Sequence, residues 1–347
     1  MWDGRQPRLG FDRFMDVSII VVAWNVRELL GNCLRSVYEE TKGIEYEVIY
    51  VDNGSVDGSV EMVRQQYPQT RIIENKDNRG FIKANNQGIE IAKGRYVLLL
   101  NSDTVVLENA IAKTVRFADA HPEAAVVGCR VLNADRSLQD NCYRFYSTLN
   151  MLFDVFWLSR AFPRSGLFAR KFYGDWNFDT EREVDVVVGC FSLVRMEAIR
   201  QVGVMDETFF VYGDDIDWCY RFVKAGWKVL FTPAGQIIHY RGQTTKKGAN
   251  RFALQLFGSV LINVKKHCSA LTFLGCRLLT ACYFLARVPY WLARAFWPPA
   301  SRGQALMSAR TYCLGFFYSL FDWTRLVMNR EQVIAAFRNP QRPQGYS

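Results

Sequence analysis

Three short apolar runs, two of which end in or beside a carboxylate, restrict this chain more than any other feature. They are Val-Ser-Ile-Ile-Val-Val-Ala (17–23), Glu-Val-Ile-Tyr-Val-Asp (47–52) and Tyr-Val-Leu-Leu-Leu-Asn-Ser-Asp (96–103). Continuous runs of this length belong to strands covered on both faces. Between and after them, 27–40, 56–66 and 80–92 read as helices and 71–74 as a further strand. Strands alternating with helices at this spacing predict an α/β fold with a mostly parallel, doubly wound sheet flanked by helices. In open α/β sheets ligands bind outside the carboxyl ends of the strands, where Asp52 and Asp103 fall. Carboxylates there are placed to hold a nucleotide and the metal on its phosphates.

Beyond Asp103 the pattern loosens. Residues 108–121 read as helix and 125–132 as strand, whereas 133–182 is aromatic-rich with little periodicity, as expected of acceptor-side loops or a lid. Residues 184–195 read as one strand, 214–225 as a helix, and 227–231 and 236–238 as two further strands, the last ending at His239. The expected organisation is an irregular lead (1–16), a catalytic domain (17–247) and a basic, aromatic-rich helical region (248–347).

Charge divides the chain in the same place. From position 241 onward there are 15 Lys/Arg against 2 Asp/Glu, and before it 28 against 32. A basic tail suits nucleic acid or an anionic membrane. This one is rich in Phe, Trp, Tyr and Leu and poor in lysine clusters, which favours the membrane and argues against nucleic acid. The nine cysteines include no Cys-x-x-Cys pair and mostly sit in apolar runs, where the thiol behaves as a small hydrophobe. With no secretory apolar segment at the N-terminus, a reducing cytoplasm is the expected compartment.

Five pieces in fixed order carry a resemblance: Val-Ser-Ile-Ile-Val-Val-Ala-Trp-Asn (17–25), Val-Asp-Asn-Gly-Ser-Val-Asp-Gly-Ser (51–59), Asn-Arg-Gly-Phe-Ile-Lys-Ala-Asn-Asn-Gln-Gly-Ile (78–89), Leu-Asn-Ser-Asp-Thr (100–104) and Phe-Phe-Val-Tyr-Gly-Asp-Asp-Ile-Asp-Trp-Cys-Tyr-Arg (209–221), with His239 beyond. Over about 17–242 the chain resembles inverting family 2 glycosyltransferases of the GT-A fold, and within them the rhamnosyltransferase branch. The resemblance implies a nucleotide-sugar pocket formed by Ala23, Asn25, Asp52, Arg79, Asn101 and Ser102. It also implies a divalent cation, Mg²⁺ or Mn²⁺, held by Asp103 and His239, with Asp215 as catalytic base and Asp214 and Trp218 facing the acceptor. Asn101 stands where the family's Asp-x-Asp has its first aspartate, and Asp214 where it has glutamate.

Each residue also has a structural reading. Asp103 after a strand suits a helix N-cap. Asp52 before Gly54 suits an Asx turn, and Asp57 a cap for the helix near 56. Arg79 suits a solvated turn. Three acids at 214, 215 and 217 suit a helix N-terminus on dipole grounds alone. Yet adjacent acids repel, and the apolar 209–212 beside them would raise a carboxyl pKa, as a base for an acceptor hydroxyl requires. A lone histidine such as His239 is more often structural than a ligand; His121 and His267 have no suggestive context. Arg241, Lys246 and Lys247 lie in a Gly-containing loop that would close over the diphosphate.

The expected activity is transfer of a sugar, L-rhamnose from dTDP-L-rhamnose being the branch's implication, onto a polyprenyl-diphosphate-linked acceptor. Another UDP- or dTDP-sugar with a soluble acceptor is the alternative. A nucleotidyltransferase would want a glycine-rich phosphate loop after the first strand, and 23–27 holds no glycine. A non-catalytic sugar-nucleotide-binding scaffold would tolerate loss of the base or metal carboxylate, and both are present. In 252–328 the apolar pieces are cut by Arg277, Arg287, Arg294, Arg310 and Asp322, short of the roughly 18–20 residues of a spanning helix. Arg287 and Arg294 would share a face if Pro289 left the helix intact. Helices lying in the membrane interface, on the cytoplasmic leaflet, are the expectation. Packing on the catalytic domain, or on a second subunit in a homo-oligomer, is the other.

Overall fold

The computed structural model describes residues 15–209, 212–240, 249–296 and 302–327. The expected alternation forms as β1 (Val17–Ala23), α1 (Arg27–Glu40), β2 (Tyr46–Asp52), α2 (Ser59–Gln66), β3 (Arg71–Glu74), α3 (Phe81–Ile91) and β4 (Tyr96–Asn101). Then come β5 (Thr104–Leu107), α4 (Ala110–Ala120), β6 (Ala124–Leu132), β7 (Cys142–Tyr143), α5 (Thr148–Val155) and α6 (Leu158–Ala161). They are followed by β8 (Arg182–Glu183), β9 (Val186–Val187), β10 (Phe191–Arg195), α7 (Met196–Val202), α8 (Asp214–Lys224) and β11 (Lys228–His239). Helices α9 (Ala249–His267), α10 (Ala270–Leu285), α11 (Val288–Arg294) and α12 (Arg302–Phe321) complete the described chain.

The main sheet runs β3-β2-β1-β4-β10-β6-β11-β5, with β8 paired to β11. Strands β3, β2, β1 and β4 are mutually parallel, as are β6 and β11, while β10 and β5 run against their neighbours. Every residue of β1 is buried, and its side chains alternate between two cores. Val17, Ile19 and Val21 meet Leu30 and Leu34 of α1, Val63 of α2 and Ile111 of α4. Ile20 and Val22 share the other core with Ile82 of α3, Ile199 of α7 and Trp218 and Phe222 of α8. Each large apolar side chain so covered is worth about 1.5–3 kcal/mol, so both faces of the sheet hold their helices firmly.

Four expectations are corrected. The stretch 184–195 is not one strand: it turns at Gly189 between β9 and β10. Residues 227–231 and 236–238 form the single strand β11, interrupted by a bulge between Thr232 and Gln236. The region 133–182 holds α5 and α6. Met151 and Val155 of α5 pack with Leu261 and Val264 of α9, Cys276 and Phe284 of α10 and Tyr312 of α12 in a third core. Helix α10 ends at Leu285 and Pro289 lies in the first turn of α11, where its missing N–H costs nothing. Arg287 is therefore buried while Arg294 is exposed, and the two share no face.

Candidate active site

Register decides which side chains meet. Ala23 pairs with Asp52, and Val22 with Asn101, so β1, β2 and β4 end level. Antiparallel β10 places Phe191 opposite Leu100, and the backbone N–H of Asn101 donates to the Cys190 carbonyl at 3.1 Å. Thr104 lies opposite His239 across β5 and β11, which carries the histidine to the Asn-Ser-Asp turn. Residues 52, 101–103, 190 and 239 thus converge on one end of the sheet.

His239 Nε2 lies 3.2 Å from Asp103 Oδ1 and 3.4 Å from Asn101 Nδ2. Its Nδ1 faces Gln139 Oε1 at 2.7 Å, and the Gln139 amide donates to the His239 carbonyl at 3.2 Å. Gln139, which sequence reading passed over, therefore sets the ring's tautomer and orientation, as second-shell partners of histidine ligands do. Burial opposes a charge on His239, but the hydrogen bonds to Asp103 and Cys190 outweigh it and lift the imidazole to about 10. A cation is thus favoured at this point; once a divalent metal displaces the proton, the neutral imidazole nitrogen and the Asp103 carboxylate oxygen suit Mg²⁺ or Mn²⁺. Among the described residues no three His, Cys, Asp or Glu side chains surround one point, so phosphate oxygens would have to complete the shell.

On the nucleotide side several of the residues are held by local hydrogen bonds or ion pairs. Asp52 is buried, accepting from the Tyr50 hydroxyl at 2.6 Å and from the backbone N–H groups of Gly54 and Ser55 at 3.0 and 2.9 Å. Asn25 sits at φ 53°, and its side chain accepts from the Val56 N–H at 2.8 Å. Ala23 is buried at the end of β1, and Ser102 is half-buried in the turn after β4. Asp57 joins two elements, accepting from the backbone N–H groups of Arg27 and Ser59. Arg79 pairs with Asp77 at 2.9 Å rather than reaching across the pocket. Buried Asn53 is a residue the sequence did not flag: its amide donates to the Gly80 carbonyl at 3.2 Å and faces Asn75.

The acidic cluster separates into three environments. Asp214 is buried, and burial, with the neighbouring charge of Asp217, raises its carboxyl to about 6 against backbone N–H bonds. Asp215 lies beside the turn before β10, where it accepts from the Gly189 N–H; burial and the adjacent Asp214 push it well up. An added Cβ at Gly189 would stand 2.6 Å from Asp215 Oδ1, so a larger residue there would push the carboxylate from this position. Asp217 is fully buried and ion-paired, accepting from Arg221 at 2.9 Å, Lys266 at 2.6 Å and His267 at 2.7 Å. Trp218, expected at the acceptor, is core: 3% exposed, it donates its indole N–H to the Gly203 carbonyl at 3.0 Å. Of 209–212, residues 210 and 211 lie outside the described residues, as do Arg241, Lys246 and Lys247. Phe209 is buried.

Comparison with known proteins gives the family and the fold. The pattern of Glycosyl transferase family 2 matches residues 18–203. The chain is 27% identical over 213 residues to an N-acetylglucosaminyl-diphospho-decaprenol L-rhamnosyltransferase of Mycobacterium tuberculosis, covering 57% of this chain and 67% of that protein. It is 24% identical over 231 residues to the rhamnosyltransferase WbbL of Escherichia coli, covering 65% and 83%. In fold it is similar to the mannosyltransferase PcManGT of Pyrobaculum calidifontis, solved with GDP-Man and Mn²⁺ (TM-score 0.53, 17% identity, 88% and 87% covered). It is also similar to GalNAc-T7, solved with UDP, GalNAc and Mn²⁺ (TM-score 0.53, 16% identity), of which it spans 48%.

Proposed function

The chain belongs to glycosyltransferase family 2, and from that premise we propose that it moves a sugar, with inversion, from a nucleoside diphosphate to a hydroxyl of a lipid-linked glycan. The observation that carries this reading is Asp215: a carboxylate of raised proton affinity, fixed at a helix start beside the converging strand ends. Ionised Asp215 takes the acceptor's O–H proton while that oxygen forms its bond to the anomeric carbon. The bond from that carbon to the diphosphate breaks, and its electron pair leaves with the nucleotide. Attack opposite the leaving group gives the inverted product. A deprotonated base of high proton affinity is the stronger one.

Asp103 and His239 would hold the divalent cation, with Gln139 orienting the imidazole. That cation supplies charge neutralisation for the departing diphosphate. L-Rhamnose from dTDP-L-rhamnose is the donor sugar we favour, supported by two rhamnosyltransferase relatives. A polyprenyl-diphosphate-linked acceptor is supported by the relative named for a decaprenol substrate.

A membrane seat on the cytoplasmic leaflet fits the C-terminal helices. Contrary to the expectation that its arginines cut it short, Ala270–Arg294 is long and apolar enough by length and composition alone to cross a bilayer (mean hydropathy 1.4), and 28% of its 18-residue apolar window is buried. Two arginines that interrupt it turn inward. Arg277 donates to the Ser319 and Leu320 carbonyls, and Arg287 lies 3.4 Å from the Tyr283 ring centroid and 4.1 Å from that of Trp157. What faces outward on α10 is Leu271, Leu274, Leu278 and Leu285, each between 48% and 80% exposed. Those four lie within about 60° of one another round a helix of 3.6 residues per turn. An apolar stripe in a basic region suits lying in the interface of an anionic membrane.

Incubating the purified enzyme with dTDP-L-rhamnose and a polyprenyl-diphosphate-linked acceptor tests the reading, with NMR of the product's anomeric centre. Inverted product should form, stop in excess chelator and return with Mg²⁺ or Mn²⁺. Asp215→Asn should lower turnover by at least about 10²-fold with donor affinity kept. Retained configuration, or an active Asp215→Asn enzyme, would overturn the base assignment; activity in chelator would remove the metal.

A further inference from the structure

We propose that helix α9 belongs to the catalytic apparatus, with Asn263 and Lys266 acting as positioning residues that set the Asp215 base. The proposal rests on the reading of Asp215 given above. It begins with the backbone just before α8, where Tyr212 and Gly213 have φ of 65° and 87°. A non-glycine residue in the left-handed region persists only where surroundings over-determine it. Helix α9 is that surrounding. Asn263, 2% exposed, donates its amide to the Gly213 carbonyl at 2.9 Å, the same oxygen that accepts the Asp217 N–H at 3.0 Å. A Cβ at Gly213 would stand 2.7 Å from that amide nitrogen and 3.1 Å from Ser259 Cβ, so the helix start is seated directly on α9.

The second tie is electrostatic. Lys266 Nζ bridges Asp217 Oδ1 at 2.6 Å and Asp206 Oδ2 at 2.7 Å, joining α8 to the loop that leads into it. His267 Nε2 reaches the same Asp217 oxygen, and its ring stacks on Tyr220 with centroids 4.3 Å apart. Asp217 follows Asp215 by two residues, about 200° round the helix. Its grip on α9 therefore fixes the rotation of α8 from the side opposite the base. Slippage of α8 by a fraction of a turn would swing the Asp215 carboxylate by about 1 Å, and displacement on that scale costs on the order of 10²-fold in rate.

The test uses the full-length enzyme carrying Asn263→Leu, Lys266→Met or Lys266→Arg. We expect kcat to fall about 10- to 100-fold in the first two with donor affinity by calorimetry within about twofold of wild type. The acid limb of the kcat profile should shift, and Lys266→Arg should recover most of the rate. Wild-type turnover and an unmoved acid limb in folded Asn263→Leu and Lys266→Met overturn the proposal. So does a loss of donor affinity parallel to that of kcat, which marks a general structural role. If Asn263→Leu does not fold, Lys266→Met decides alone, its side chain being 35% exposed. Asp215→Asn in the same assay isolates the premise: an active Asp215→Asn removes the base itself, whereas an inactive one beside fully active α9 variants removes only the role of α9.

Discussion

Asp215 and Asp217 stand two residues apart on α8 and meet opposite surroundings. Arg221, Lys266 and His267 all contact Asp217 in the core. Asp215 has the Gly189 N–H and the like charge of Asp214 beside it, so its proton is held more tightly than in the unfolded chain. The sign of the consequence follows from linkage. Unfolded, the group ionises near about 3.9; folded, it keeps its proton to higher pH. The stability it supports is complete below the unfolded value and declines as pH rises through the folded one. Asp215→Asn, always neutral, should therefore melt higher than wild type at pH 8, by about 2–4 °C if roughly 1 kcal/mol is involved. The difference should vanish near pH 4. Activity runs the other way, increasing with pH as the base ionises. Thermal melts across pH check this; an equal gap at pH 4 and 8 would mean that burial of the charge is not the cause.

Helix α8 shows how one element serves packing and chemistry with different faces. Trp218 and Phe222 join the core beneath the sheet, while Asp214 and Asp215 begin the helix at the strand ends. A tryptophan in an acidic motif suggests a sugar platform, yet the indole here closes onto Gly203. Trp218→Phe should cost about 1–2 kcal/mol of stability in urea titration through that lost hydrogen bond, with the acceptor KM unchanged. A raised acceptor KM at unaltered stability would return Trp218 to the acceptor site. The break between β9 and β10 is the complementary case. Its turn spends the middle of an apolar run to bring the Gly189 N–H to Asp215 and Cys190 to His239.

At the scale of the molecule, a third core couples the region after β11 to the α5 insertion, and α9 couples it to α8. The basic C-terminal region and the catalytic sheet therefore form one packed body along the described residues. Its outward surface carries Tyr290, Phe296, Phe317 and Phe321, each more than half exposed. Flotation with anionic vesicles should carry the enzyme upward, and Leu274→Lys with Leu278→Lys should reduce the bound fraction several-fold, since each buried leucine contributes about 1.5–3 kcal/mol. Turnover on a short water-soluble acceptor analogue should stay as it was. Equal flotation of the variant would place the membrane contact elsewhere.

Strand runs, helix periods and the five motifs were legible in the sequence because each is local: burial on two faces leaves continuous apolar runs, and a site at strand ends leaves its carboxylates there. The strand-end positions of Asp52 and Asp103 followed from that, whereas Asp214, Asp215 and His239 were singled out through the family resemblance. Register and long-range pairing decided the rest. His239 meets Asp103 only because β11 pairs with β5, and Gln139 orients the ring across a separation of 100 residues. His267 had no sequence context because its partner, Asp217, lies 50 residues earlier. Trp218 turned inward because the hydrogen bond and apolar cover available in the core outweighed any claim of its motif. A carboxylate's identity is written in the chain, but its proton affinity depends on which groups fold around it: burial and the neighbouring Asp214 raise that of Asp215.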